Sequence, residues 1–342
     1  MNTNVNELRE KLGGTKVHAV AVQKGGTGKT TITSDICFTL AKMGFKVLAI
    51  DSDPQASLSS LCNVDVLGNV PGLDDMYALF INAFKNRKRL TLDDLKPIWV
   101  ELDENGNNIK APTYMKPIPK STEMEKKQFG FDLIPAKIEL AGVDIHLSTT
   151  SALGRTAGMC LYTMINMIKK EMDYDFIIID TCPGLGNLVY NAIAAGIDGT
   201  IIPINLEPLT IRGAQNLINT ITEIQELLNN MNIIHKGVLG IVKNQYAPRL
   251  KIQQRFEGVV ETFFPIPTFK TTIPTKTSCD VAHDRGRLYS EYDPKVGNRF
   301  EELVDEIIKE DIRRAEEKEV VFVRSFGPEE WAKINEKKGD EE

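Results

Sequence analysis

Six apolar runs punctuate the chain, at residues 17–22, 46–50, 131–134, 176–179, 199–204 and 237–242. Most are continuous and do not alternate with polar positions, so they predict strands buried on both faces, as in a parallel sheet covered by helices. Between them lie stretches with apolar positions at helical spacing: residues 31–43, 155–172, 187–195, 211–229 and 251–263. Strand and helix in alternation predict an α/β fold, a doubly wound and mostly parallel sheet with helices on both faces. Such a sheet binds its ligand at the C-terminal ends of the strands.

The rhythm breaks over residues 71–128, rich in Lys, Asp, Asn and Pro. This stretch is expected to be an insertion with helix around residues 73–84 and an exposed turn at 101–108, without a core of its own. Residues 301–319 predict a charged helix, and a polar tail is expected from Gly327. The chain, residues 1–342, therefore reads as one domain with an insertion at 71–128 and a charged C-terminal helix and tail at 301–342.

Between the first strand and the first helix stands Lys24-Gly25-Gly26-Thr27-Gly28-Lys29-Thr30-Thr31. Strand, glycine loop and helix together make a phosphate-binding context. Small residues let successive backbone N–H groups converge on phosphate oxygens, and the helix N-terminus adds its positive dipole end. Lys29 is expected on the β- and γ-phosphates and the Thr30 hydroxyl on Mg²⁺. The general pattern wants a glycine where this chain has Gln23, and Lys24 is an added cation.

Two acidic loops follow further strands. Asp51-Ser52-Asp53-Pro54-Gln55 places two carboxylates beside the glycine loop, suited to metal and water chemistry; a helix cap with a surface charge is the plainer alternative. Ile178-Ile179-Asp180-Thr181-Cys182-Pro183-Gly184 ends an apolar strand in an acid, the arrangement in which Asp180 holds Mg²⁺ through a water.

Bulk properties narrow the classes. Charged residues make up 26% of the chain, ordinary for a globular protein, and no apolar run approaches the roughly 20 residues of a membrane helix. The N-terminal residues lack a signal-peptide core, so a cytoplasmic protein is expected. Five scattered cysteines suggest neither disulfides nor a metal site. The net charge of −6 conceals an asymmetry. Residues 236–299 carry 11 Lys and Arg against 6 Asp and Glu, whereas residues 301–342 carry 8 against 15.

Through Lys24–Thr31, Asp51–Gln55 and Ile178–Gly184 the chain resembles the deviant Walker-A ATPases, which include ParA/Soj partition proteins, MinD and the nitrogenase iron protein. ParA/Soj is the nearest resemblance, extended by Ile201-Ile202-Pro203-Ile204-Asn205-Leu206-Glu207-Pro208 with Gly213, by Thr272-Ile273-Pro274 and by Tyr292-Asp293-Pro294. It covers roughly residues 17–308, with 71–128 unmatched. The resemblance implies a P-loop NTPase that hydrolyses ATP with Mg²⁺. Lys24 matches the lysine that crosses a homodimer interface to the partner's ATP. Asp53 matches the acid that orients the attacking water, and Asp51 a more distant partner of Mg²⁺. Thr31 is expected at the α-phosphate. Asn244 and Pro274 occupy adenine-contacting places, although a loop cap explains Asn244 equally well.

The same resemblance implies a cycle: an ATP-bound dimer binds non-specific DNA, associating with the nucleoid, until a ParB-like centromere-binding protein stimulates hydrolysis. Candidate DNA contacts are Lys243, Arg249, Lys251, Arg255, Lys270, Lys276, Arg285 and Arg287, some of them expected to be ordinary exposed charges. Only some 16 residues precede the first strand, so an operator-reading helix-turn-helix domain is not expected. The alternative is a MinD-like membrane-positioning ATPase. It needs a basic, amphipathic C-terminal helix, and residues 328–342 are acidic and poor in large apolar side chains, so no membrane partner is expected.

Overall fold

The computed structural model describes residues 4–64, 70–117, 124–149, 154–263, 266–275 and 277–317. Its centre is a seven-stranded sheet in the order β5-β2-β6-β1-β7-β8-β9, with every pairing parallel. The strands are β1 (Lys16–Val20), β2 (Val47–Ser52), β5 (Asp132–Ile134), β6 (Phe176–Thr181), β7 (Gly199–Ile204), β8 (Val238–Tyr246) and β9 (Thr268–Pro274). Every residue of β1, β2, β6 and β7 is buried, which is why these runs are continuously apolar. β3 (Thr113–Pro117) and β4 (Met124–Gln128) form a separate antiparallel ribbon.

Strand order positions the chemistry. β1 is the middle strand, and its neighbours β6 and β7 come from later in the chain, so the direction of winding reverses there. The crevice above such a reversal is the expected ligand site. Register brings Asp51 of β2 opposite Asp180 of β6, and Asp180 opposite Val20 of β1. The two acids thus end side by side, next to the loop that leaves β1.

Helices cover both faces. Lys29–Lys42 and Pro294–Glu317 pack on one face around Ile36, Leu40, Phe300, Leu303 and Ile307. Leu73–Lys85, Cys160–Glu171 and Asn187–Ala195 pack on the other. A third cluster joins Pro208–Asn230 and Lys251–Phe263 to β7 and β8.

The structure amends several expected elements. The helix expected at 155–172 is a 3₁₀ segment, Gly154–Met159, followed by an α-helix. The helix expected from 211 starts at Pro208, where a proline is tolerated because a first-turn N–H has no helical acceptor. Leu73, Met76, Tyr77 and Trp99, all within the 71–128 stretch, are buried in the main core. The C-terminal helix begins at Pro294, earlier than its charges suggested, and turns Val296, Phe300, Val304 and Ile308 inward. The tail expected from Gly327 lies outside the described residues.

Asp35, on the inner face of Lys29–Lys42, is buried and accepts the Ser290 backbone N–H at 2.6 Å. Among the described residues its second oxygen has no partner, and burial pushes the carboxyl up to about 7. A folded-state pKa above the unfolded value means that stability is full below about pH 4 and is lost as pH rises through 7. Asp35→Asn removes the charge at nearly constant shape. It is expected to raise the melting temperature more at pH 8 than at pH 4, and an equal change at both would refute the assignment.

Candidate functional site

The loop after β1 turns by two residues in the left-handed region, Gly26 (φ 77°) and Gly28 (φ 75°), a conformation that glycine adopts at little cost. A Cβ at Gly25 or Gly26 would meet nothing within 4 Å, so this arc borders open space. At Gly28 it would collide with the Asn244 amide nitrogen, which the Thr27 carbonyl holds in place, so a side chain there is disfavoured. Gly28 caps Lys29–Lys42 without a side-chain bond, leaving the first-turn N–H groups for a ligand.

Lys29 is only 7% exposed, yet among the described residues its ammonium has no ion-pair or hydrogen-bond partner. A mostly buried lysine with no direct ion pair, its charge felt by Asp53 and Asp180, fits a phosphate group beside an open backbone cradle. The Thr30 hydroxyl donates to Asp180 Oδ2 at 2.9 Å and the Thr33 hydroxyl to Oδ1 at 2.9 Å. Burial pushes the Asp180 carboxyl up, while the bonds from Thr30 and Thr33 and the charge of Lys29 pull it back. A hard cation favours oxygen donors, and Thr30 with Asp180 supplies them. Thr33 was not anticipated; its spacing of three from Thr30, on the same helix face, was the available signal.

Asp51, expected as a more distant partner of Mg²⁺, is fully buried beside Asp180. Its Oδ1 accepts the Asp53 N–H at 3.1 Å, and its Oδ2 accepts the Ser59 N–H and hydroxyl at 2.9 and 2.7 Å. Both oxygens are committed to shaping residues 53–59, and Ser59 in turn accepts the Ala136 N–H. Burial, then repulsion from Asp180, raises its carboxyl. Asp53 is 7% exposed, and among the described residues its carboxylate bonds only the Gln55 N–H, at 2.9 Å. Burial raises its carboxyl, opposed by that N–H and by Lys29.

Lys24 reaches Glu207 at 3.1 Å in an exposed pair. Gln23, standing where the usual loop has glycine, accepts from Asn216 Nδ2 at 3.1 Å, and its Cβ side faces the bare Gly213. Thr27 is fully buried, while Thr31 is half-buried at the first turn of the helix.

Asn244 is not presented to a base. Its amide is buried and donates to the Thr27 carbonyl at 2.7 Å. Gln245, which the sequence did not single out, donates to the Gly26 carbonyl at 3.1 Å. Pro274 ends β9, half-buried, and its carbonyl accepts from Tyr289 at 3.3 Å.

Two basic candidates are corrected. Lys243 is 4% exposed and pairs with Glu257 at 2.8 Å, because β8 carries it into the core. Arg287 grips Glu291 through two nitrogens and lies over the Tyr292 ring. Neither is available to DNA phosphates. Arg249, Lys251, Lys270 and Arg285 are exposed, Arg255 lies on Lys251–Phe263, and Lys276 lies outside the described residues. Among the described residues no helix is long and apolar enough to cross a membrane, and no group of three or more His, Cys, Asp or Glu could hold a metal.

Residues 15–234 match the family model AAA_31, described as an AAA domain. An uncharacterized protein of Methanocaldococcus jannaschii is 33% identical, with 86% of this chain and 98% of that one covered. The sporulation initiation inhibitor protein Soj of Bacillus subtilis is 28% identical over 86% of this chain and 97% of its own. Among solved structures, cobyrinic acid a,c-diamide synthase from Mycobacterium smegmatis, with a bound ATP analogue and magnesium, superposes with a TM-score of 0.59. It is 23% identical and covers 92% of this chain and 100% of its own, a likeness of fold.

Proposed function

Since this chain belongs to the AAA_31 family of AAA domains and is an ATPase of the ParA/Soj type, using ATP and Mg²⁺, we propose that it moves DNA cargo by an ATP-gated dimer. The observation that carries the reading is the pairing of an unpartnered, buried Lys29 with a second lysine, Lys24, on the same loop. Lys29 serves the nucleotide of its own chain. Lys24 is the cation that a second protomer would receive.

In this reading the N–H groups of residues 25–30 hold the phosphate oxygens and Lys29 neutralises their charge. Thr30 and Asp180 would hold Mg²⁺, which would supply neutralisation of the phosphate oxygens. Asp53 orients a water and accepts its proton. Thr31 approaches the α-phosphate, and Pro274 lies towards the base. Asn244 and Asp51 keep the two loops in shape.

Two protomers face to face bring two nucleotides together, and the charge so concentrated needs cations from both sides. To cross, Lys24 must leave Glu207. Exposed ion pairs are worth about 0–1 kcal/mol, so the release is inexpensive. Dimerisation then doubles the exposed basic set of Arg249, Lys251, Lys270 and Arg285, with Arg255 on the same helix as Lys251. Such binding is to phosphates, without sequence preference. A ParB-like partner bound at the cargo's centromere site would stimulate hydrolysis and release the dimer from the nucleoid.

The test combines assembly and DNA. With ATP, the protein is expected to run as a dimer on a sizing column and to shift non-specific duplex in a manner that weakens steeply with salt. Lys24→Ala is expected to lose both while still binding ATP. A Lys24→Ala dimer that persists on the column would rule out the crossing lysine. Equal DNA binding with and without ATP would rule out the gate.

A further inference from the structure

Gln245 is the last but one residue of β8 and the one residue of that strand in the left-handed region, at φ 51°. A side chain in this conformation costs energy that surrounding contacts must offset, and such outliers cluster at functional joints. The contacts here run in two directions. The Gln245 amide donates to the Gly26 carbonyl of the phosphate loop at 3.1 Å, beside the Asn244–Thr27 bond at 2.7 Å. Its own backbone carbonyl accepts from Gln253 Nε2 at 3.3 Å, and Gln253 Oε1 takes the Ala247 N–H at 2.6 Å.

Gln253 lies in the first turn of Lys251–Phe263. One turn on, at the same face, Glu257 bonds Tyr246 at 2.7 Å and Lys243 at 2.8 Å. The end of β8 is therefore held between the phosphate loop and the helix that carries Lys251 and Arg255, with Arg249 in the turn between them. Gly26, like Gly25, borders open space, so a ligand that reorders its peptide pulls directly on the carbonyl to which Gln245 donates.

We propose that Gln245 is a positioning residue that ties the phosphate loop to the helix Lys251–Phe263, so that loading the loop with nucleotide stiffens the basic helix. This rests on the reading of the glycine loop as the nucleotide site. The strained backbone makes the tie selective. With its side chain on Gly26, Gln245 is held in the left-handed region. Once the side chain is released, the strand end has a lower-energy conformation to fall into, and the turn at residues 246–250 loosens with it.

Hydrogen exchange measured by mass spectrometry on the full chain, with and without a non-hydrolysable ATP analogue and Mg²⁺, decides the matter. In the wild type, the analogue is expected to slow exchange at residues 23–31 and also at 246–263. Gln245→Met keeps the length and removes the donor, and Gln245→Gly removes side chain and strain together. Both are expected to retain slowing at 23–31 and to lose about 2- to 10-fold of it at 246–263, the span of one net hydrogen bond.

Full slowing at 246–263 in both variants, or none there in a wild type protected at 23–31, overturns the tie. No slowing at 23–31 in the wild type overturns the nucleotide reading itself, and the tie with it. Gel shifts on the same proteins separate the DNA reading. A wild type with the exchange pattern but no DNA affinity would keep the tie and remove DNA as what it serves.

Discussion

Asp53→Ala is expected to cut ATP turnover by about 10²- to 10⁴-fold, the usual worth of a positioned acid or base. Nucleotide binding should survive, because among the described residues the Asp53 carboxylate bonds only the Gln55 N–H and makes no hydrogen bond to the glycine loop. Burial raises the proton affinity of its carboxylate, which favours taking a proton from water, and the Gln55 N–H and the charge of Lys29 act against that rise. Alanine removes the acceptor and leaves the loop shape, which Asp51 and Ser59 maintain. The variant should therefore accumulate as an ATP-bound dimer, read as ATP retained through gel filtration. Turnover equal to wild type at saturating ATP would take Asp53 out of the reaction.

The largest expected effect on stability lies at the opposite end of the sheet. Arg314 is 1% exposed, near the end of Pro294–Glu317. Its guanidinium donates to Glu310 at 2.6 Å and to the carbonyls of Lys236, Val238 and Leu239 at 3.0, 2.9 and 3.2 Å. Those carbonyls lie at the start of β8, and the cation holds the helix against the strand. One turn earlier, Asp311 bonds the buried His18 of β1 at 2.9 Å. Arg314→Ala takes a donor from three carbonyls at once and leaves the half-buried Glu310 carboxylate to Arg313 alone, with a cost of about 3–5 kcal/mol. For a chain of this size that lowers the melting temperature by on the order of 5–15 °C. A shift under about 2 °C in calorimetry would show that water replaces the cation without loss.

The two effects draw on residues of different legibility. Asp53 stood out because it follows an apolar run and precedes a proline beside a glycine loop. Arg314 looked like one charge among many on a charged helix. Local pattern shows which face of a helix is polar, but not that a sheet end with open carbonyls will close over part of it. The same blindness explains Lys243. Its place in a basic segment suggested phosphates, whereas the strand carries it inward against Glu257. β9, with Lys270 and three threonines in Thr268–Pro274, offered no continuous apolar run because it is an edge strand. Residues 73–99 lacked the expected rhythm, yet Tyr77 and Trp99 are among the largest fully buried side chains.

The sequence by itself determined the α/β class, six of the seven sheet strands, and the loop from Lys24 to Thr31 with its acid partner Asp180. These follow from local facts: continuous apolar runs demand burial on both faces, and glycines beside a lysine leave backbone N–H groups and a cation for an anion. Tertiary structure alone decided how those groups are held. Asn244 and Gln245 come more than 200 residues after the loop whose carbonyls they bind. Lys24 rests on Glu207, itself 183 residues away in the chain. Each of these is a hydrogen bond or ion pair whose partner is set by strand order, and strand order arises from the packing of the whole sheet.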